Sequence, residues 1–286
     1  MITSKDYIKS LLPSVPDDAN KYTKGSATMF VGSFGMAGAA LLSAKACLRS
    51  GAGIVRLVVP KGIYPICAGA LWEAVYTPVK DVDGKFSVDT YEKVASYFSK
   101  SDAIAFGCGV GLSPGVDETL RSLITKNTKP LIIDADGINS LSKHIDLLKE
   151  KACPIVLTPH EGEMSRLLDK SVGYIRSNRA EVAAGFAARF GVTLLLKGKN
   201  TVIASADGDV FINPMGNSGL ATAGSGDVLT GIITALISSG LSPFDAAVAG
   251  AYIHGLSGDI AAEKLGSRSM TASDIIEYLP NAFKEC

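Results

Sequence analysis

The chain has 286 residues, 47% of them hydrophobic, with 28 basic and 28 acidic side chains. That length and apolar content suit one large α/β domain or two modest ones and exclude a disordered chain. The charge balance excludes a bulk field drawing the protein to nucleic acid or an anionic membrane. Cys47, Cys67, Cys108, Cys153 and Cys286 form no C-x-x-C pair and are odd in number. This argues against a disulfide framework or a zinc cluster and suits a reducing cytoplasm. The opening MITSKDYIKSLLPSVPDD lacks the apolar core of a signal peptide, and no apolar run approaches the roughly 18 residues of a membrane span. The expectation is a cytoplasmic protein with no membrane or nucleic-acid partner.

Up to about Lys24 the sequence is polar and proline-bearing, a short helix and a lead-in. SATMFVGS reads as a strand, GMAG as a tight turn, and AALLSAKACLRSGAG as a helix stopped by Gly51 and Gly53. IVRLVVP follows as a strand, then a helix near Tyr64–Ala70, AVYTPV as a strand, a helix across Asp89–Ser99, and AIAFG as a strand. The loop CGVGLSPG leads to a helix near Val116–Thr125. PLIIDADG is a strand followed by a short helix, PIVLTP a strand, and a helix begins at about Glu161. A longer helix spans roughly Ile175–Phe190 before the strand VTLLLKG, and TVIASADGDVFIN reads as a hairpin around an Asp-Gly turn. Helices near Val228–Ser239, Pro243–Lys264 and Ala272–Leu279 complete the chain. Strands that are apolar throughout, alternating with helices, predict a mostly parallel central sheet with helices on both faces. No linker or repeat divides it, so residues 1–286 are expected to form a single domain.

Ligands on such sheets collect where strands end. In VGSFGMAGAA, small residues serve helix packing or let a ligand lie against the backbone near Ala39 and Ala40. Gly109 and Gly111, in FGCGVG, admit the same two readings; G-x-G-x-G is weak and is not the dinucleotide fingerprint. In LTPHEGEM, Glu161 and Glu163 complement a helix dipole. His160 is either a satisfied polar residue or a ligand partner, with Glu163 then organising hydrated Mg²⁺ beside phosphates. Lys197 is a charged strand end or, with Gly198, Lys199, Asn200 and Thr201, a holder of nucleotide phosphate or ribose. Asp134 and Asp136 are read first as N-cap and turn residues, with assistance to a metal as the alternative.

The most informative stretch is GNSGLATAGSGDVLTG, from Gly216 to Gly231. Its glycines open a buried helix, so free N–H groups and the positive end of a dipole point at whatever lies in front. Asn217, Gly224, Ser225 and Gly226 are therefore candidates for holding a nucleotide. Asp227 is a first-turn acid that would repel phosphate, yet a carboxylate beside an anion hole is suited to deprotonating a hydroxyl that attacks phosphate. The amides of Ala223–Gly226 would then stabilise the transferring group.

Together, GNSGLATAGSGDVLTG, LTPHEGEM, LLLKGKNT and KGSATMFVGSFGMAGAALLSAKACLRSGAG closely resemble the NAD(P)H-hydrate dehydratases of the ribokinase-like superfamily, in order from about Lys24 to Leu279. The resemblance implies a repair enzyme that dehydrates NADH hydrate or NADPH hydrate at the expense of ADP or ATP, ADP being favoured, with Mg²⁺. It implies hydrate contacts at Ala40, Gly109 or Gly111, His160 and Asp227, and nucleotide contacts at Lys197 to Thr201 and Gly226. It further implies an oligomer of identical subunits, a tetramer among the candidates, and a form without an epimerase domain ahead of residue 24. Glu161 and Cys108 stand where many relatives carry proline. The rival is a kinase of the same superfamily acting on a vitamin-precursor alcohol, a thiazole or pyrimidine; such kinases often carry Asn-x-x-Glu where this chain has His160-x-x-Glu163.

Overall fold

The computed structural model describes residues 1–286. The first half runs α1 (Lys5–Leu11), β1 (Ser26–Phe30), α2 (Ala37–Arg49), β2 (Ile54–Pro60), α3 (Tyr64–Ala70), β3 (Val75–Val79), β4 (Asp81–Val82), β5 (Lys85–Phe86), α4 (Thr90–Val94), β6 (Ala103–Phe106), α5 (Pro114–Lys126), β7 (Leu131–Ile133) and α6 (Asp136–Leu141). There follow β8 (Ile155–Leu157), α7 (Glu161–Leu168), α8 (Val172–Ser177), α9 (Arg179–Phe190), β9 (Thr193–Leu196), β10 (Thr201–Ala204), β11 (Val210–Asn213), α10 (Ser225–Ser238), α11 (Pro243–Leu265) and α12 (Ala272–Glu285). Nine strands make one sheet in the order β11-β10-β9-β8-β7-β6-β1-β2-β3. From β9 to β3 all neighbours are parallel, and the hairpin strands β10 and β11 add on antiparallel.

Except at the edge strand β3, the strands are largely buried on both faces, and their alternation sorts residues into two cores. Ala27, Met29, Ala103 and Ala105 face α2, α10, α11 and α12, whereas Phe30, Ile104 and Phe106 face α4, α5, α7 and α9. The first face is built from small residues, so its helices pack closely. A Cβ at Gly231 of α10 would lie 2.1 Å from the Ser43 carbonyl oxygen of α2. The second face is filled by rings: Phe86, Phe98 and Phe106 surround Phe30, with centroids 6.0–6.3 Å away. Burying each such ring contributes roughly 2–3 kcal/mol.

The chain runs outward from β1 to β2 and β3, then returns to place β6 on the other side of β1. That reversal opens a crevice at the carboxyl ends of β1 and β6, the usual ligand position on such a sheet.

Three expected helices differ. The segment Ile175–Phe190 is two helices, because Asn178 (φ −128°, ψ 32°) leaves helical geometry and Ser171 caps a separate start for α8. Asp89–Ser99 becomes the short α4 followed by a 3₁₀ segment, Ala95–Lys100. The last helix passes through Pro280 to Glu285: proline removes one N–H, and the apolar face Ile275, Ile276, Leu279 and Ala282 holds the extra turn. An unanticipated hairpin, β4–β5, turns at Asp83 and Gly84, both at positive φ. No helix is long and apolar enough to cross a membrane.

Candidate active site

At the mouth of the crevice the chain enters α10 through Gly224, whose φ of +88° requires glycine; a Cβ there would also sit 2.4 Å from Leu42 Cδ1. The amides of Ala223, Gly224, Gly226 and Asp227 make no hydrogen bond within the chain, whereas that of Ser225 reaches the Thr222 carbonyl at 3.3 Å. The turn therefore presents open amides of the kind that suit an anion, with the Asp227 amide open where the sequence pointed to that of Ser225. The Ser225 hydroxyl is buried, 3.1 Å from His254 Nε2. Asn217 is likewise turned into the protein. Its side chain donates to the Gly258 carbonyl and to Asp259 and accepts the Gly219 amide, so it shapes the turn from behind.

Asp227 occupies the first turn of α10, behind these amides. Burial, and next the charge of Asp134, push its carboxyl up to about 7, against a downward pull from the neighbouring Cys108 thiol and from Lys197. Asp134, just after β7, is the hub. It accepts from Lys197 Nζ at 2.7 Å, Thr158 Oγ1 at 2.8 Å and Thr230 Oγ1 at 2.8 Å. This overturns its reading as an N-cap, since the cap position of α6 falls on Ala135 and the Asp134 side chain makes no capping bond. Asp136 keeps a turn role, accepting the Gly111 amide at 2.8 Å. Thr158, Thr230 and Arg179 were not picked out from sequence. Thr230 lies three residues beyond Asp227, on the same helix face, a spacing that could have flagged it.

His160 and Lys197 stand side by side because β8 and β9 extend by one more bridge pair. The His160 ring caps α7: Nδ1 accepts the amides of Gly162 (2.9 Å) and Glu163 (3.2 Å), while Glu163 accepts the His160 amide at 2.9 Å. Two donors on Nδ1 place the ring proton on Nε2. Burial and the Lys197 charge hold the ring below its usual pKa, hence neutral, with 53% of the side chain exposed. Burial lowers Lys197, but Asp134 and Glu163 outweigh it and its pKa stands above the usual value. The ammonium is thus engaged with carboxylates, 2.7 Å from Asp134 and 3.8 Å from Glu163. A Cβ on Gly226 would lie 3.3 Å from the same nitrogen. Arg179 braces the strand end, bonding the Leu196 and Lys197 carbonyls and Glu161. Mg²⁺ prefers hard oxygen ligands and keeps several waters. Glu163 is buried and holds the His160 amide, and Asp134 already has three donors, so the donor set fits a hydrated ion held mainly by phosphates.

Of the remaining candidates, Ala40 is fully buried in the second turn of α2, offering backbone only. Gly109 packs on the start of that helix, where a Cβ would come within 2.7 Å of Ala39; Gly111 is held by Asp136. Gly198, Lys199 and Asn200 form an exposed turn, with Thr201 Oγ1 bonded back to the Gly198 carbonyl.

A mostly parallel sheet with its reversal at β1/β6, open amides at a helix start and a half-buried acid behind them characterise a ribokinase-like α/β protein. A ribokinase-like superfamily protein of Enterococcus faecalis superposes with a TM-score of 0.84 at 25% identity, over 100% of this chain and 96% of its own. The sequence model described as NAD(P)H-hydrate dehydratase matches residues 27–281, and the chain belongs to that family. An ADP-dependent (S)-NAD(P)H-hydrate dehydratase of Bacillus subtilis is 31% identical over 284 residues, covering 98% of this chain and 97% of that protein. A Bacillus subtilis ADP/ATP-dependent NAD(P)H-hydrate dehydratase co-crystallised with ATP/Mg²⁺ superposes with a TM-score of 0.85 at 30% identity, over 99% of this chain and 97% of that one. A bifunctional NAD(P)H-hydrate repair enzyme of Moorella thermoacetica is 40% identical over 275 residues, 96% of this chain; the chain spans about half of that relative, 52%.

Proposed function

We propose that this protein dehydrates the S-epimer of NADH hydrate or NADPH hydrate, converting ADP to AMP and phosphate. The observation that carries the reading is Asp227, poised near neutrality beside four open backbone donors. The amides of Gly226 and Asp227 would receive the terminal phosphate, with the turn from Gly198 to Thr201 along the nucleotide. The ring, lying over the backbone of Ala40 and Gly109, would meet the His160 Nε2 proton.

Asp227 takes the proton of the ring hydroxyl as its oxygen attacks the terminal phosphorus, and the bond to the bridging oxygen breaks to release AMP. Hydroxide, a poor leaving group, has become phosphate. The lone pair of the ring nitrogen expels it with the carbon–oxygen electrons, and loss of a neighbouring proton restores the dihydropyridine. Fixed amides stabilise charge on the migrating phosphoryl group. Glu163 would hold a hydrated Mg²⁺ near the phosphates, and the ion would supply charge neutralisation there. A cytoplasmic site of action and an assembly of identical subunits belong to the same reading, resting on the free cysteines and the family resemblance.

Incubating hydrated NADH with ADP and Mg²⁺ tests the activity. Recovery of the reduced-nicotinamide absorbance with stoichiometric AMP is expected. No recovery, with ATP-dependent phosphorylation of a thiazole or pyrimidine alcohol instead, would make the protein a kinase.

A further inference from the structure

The loop between β6 and α5 places a thiol beside Asp227. Cys108 is fully buried, and its Sγ, one oxygen of Asp134 and one of Asp227 lie within 4.8 Å of one another. The loop is fixed tightly. Gly107 and Gly109 flank Cys108 at positive φ, the Cys108 carbonyl accepts the Gly32 amide at 2.8 Å, and that of Gly109 accepts Ser33 Oγ at 2.8 Å. A Cβ on Gly107 would lie 2.0 Å from the Asp134 carbonyl oxygen, so the loops after β6 and β7 touch backbone to backbone. Cys108 therefore cannot drift from the carboxylates.

Asp134 has three strong donors of its own, and Asp227 has no hydroxyl, ammonium or backbone donor. Burial, followed by the charges of Asp227 and Asp134, raises the thiol well above its ordinary pKa, so sulfur keeps its proton. A protonated thiol among carboxylates is a weak donor and an unreactive nucleophile.

We propose that Cys108 is a positioning residue: its S–H donates to the Asp227 carboxylate, holding one oxygen so that the other faces the hydroxyl to be deprotonated. The pairing favours the ionised carboxylate, opposing the effects of burial and of Asp134 and Asp136; Lys197 is the other charged group acting on Asp227, and it too favours ionisation. The proposal rests on Asp227 acting as the base, but the contact itself is a property of the free protein and can be read without turnover.

The test is a pH titration of the Asp227 carboxyl carbon by NMR, assigned by the resonance lost in Asp227→Asn, in the wild type, Cys108→Ala and Cys108→Ser. Removing the donor should raise the midpoint by about half a unit to one unit in Cys108→Ala, with serine restoring most of the shift. The acid limb of the kcat/KM profile should move with it in the alanine variant. A Cys108→Ala midpoint equal to the wild type, in protein with an unchanged melting temperature, would overturn the proposal. A shifted midpoint without any dehydration of NADH hydrate would leave the contact standing and refute the assigned activity instead.

Discussion

At the scale of residues, the proposed reaction assigns the chemistry and the pH behaviour to one acid, Asp227. In Asp227→Asn, turnover should fall by about a thousandfold or more, since base and orientation are lost together, while ADP affinity measured calorimetrically changes by less than about threefold. In the wild type, kcat/KM should decline with falling pH through a midpoint near 7, where Asp227 gains its proton. Stability moves the other way. Burial raises the folded carboxyl from 3.8 to about 7, so between those values the native state keeps a proton the unfolded chain releases, and stability falls as pH rises. Above pH 7 the penalty is constant. Asparagine cannot ionise, so the variant should match the wild type near pH 3 and exceed it by up to about 4 kcal/mol at pH 8, read by urea melts. Equal stability at pH 8 would contradict the buried placement.

At the scale of elements, the work is done by ends: the first turn of α10 and the residues just beyond β6, β7, β8 and β9. Gly226 shows how little room remains, with Lys197 and Asp134 already near its missing side chain. Gly226→Val should displace the lysine and cover the open amides, weakening ADP binding by about tenfold or more and costing about 1–3 kcal/mol of stability. Unaltered affinity would remove this turn from the nucleotide site. The turn was legible because its cause is local: glycines before an apolar helix. The hub was not. Asp134 pairs with Lys197 across 63 positions, and nothing local announces that partnership, so the rule for a polar residue before a short helix gave the wrong role. His160 was legible as a strand-end residue near the ligand region, but its capping of α7, with the ring nitrogen as acceptor, is a tertiary and tautomeric fact no spacing reveals.

At the scale of the molecule, alternating apolar strands and helices were enough for a mostly parallel sheet covered on both faces. Errors fell where weak local signals were outvoted by packing. Asn178 interrupts an apolar period that reads as continuous, and Pro280 fails to stop a helix whose apolar face stays buried. The fold joins distant segments so that the acid proposed as base, its counter-charges and the open amides lie together. That union predicts that the hydroxyl itself is phosphorylated before it leaves. Hydrated NADH carrying ¹⁸O in the ring hydroxyl, turned over with unlabelled ADP, measures this directly. One ¹⁸O atom in each released phosphate is the predicted result; label appearing in water, with phosphate drawing its oxygen from solvent, would contradict it.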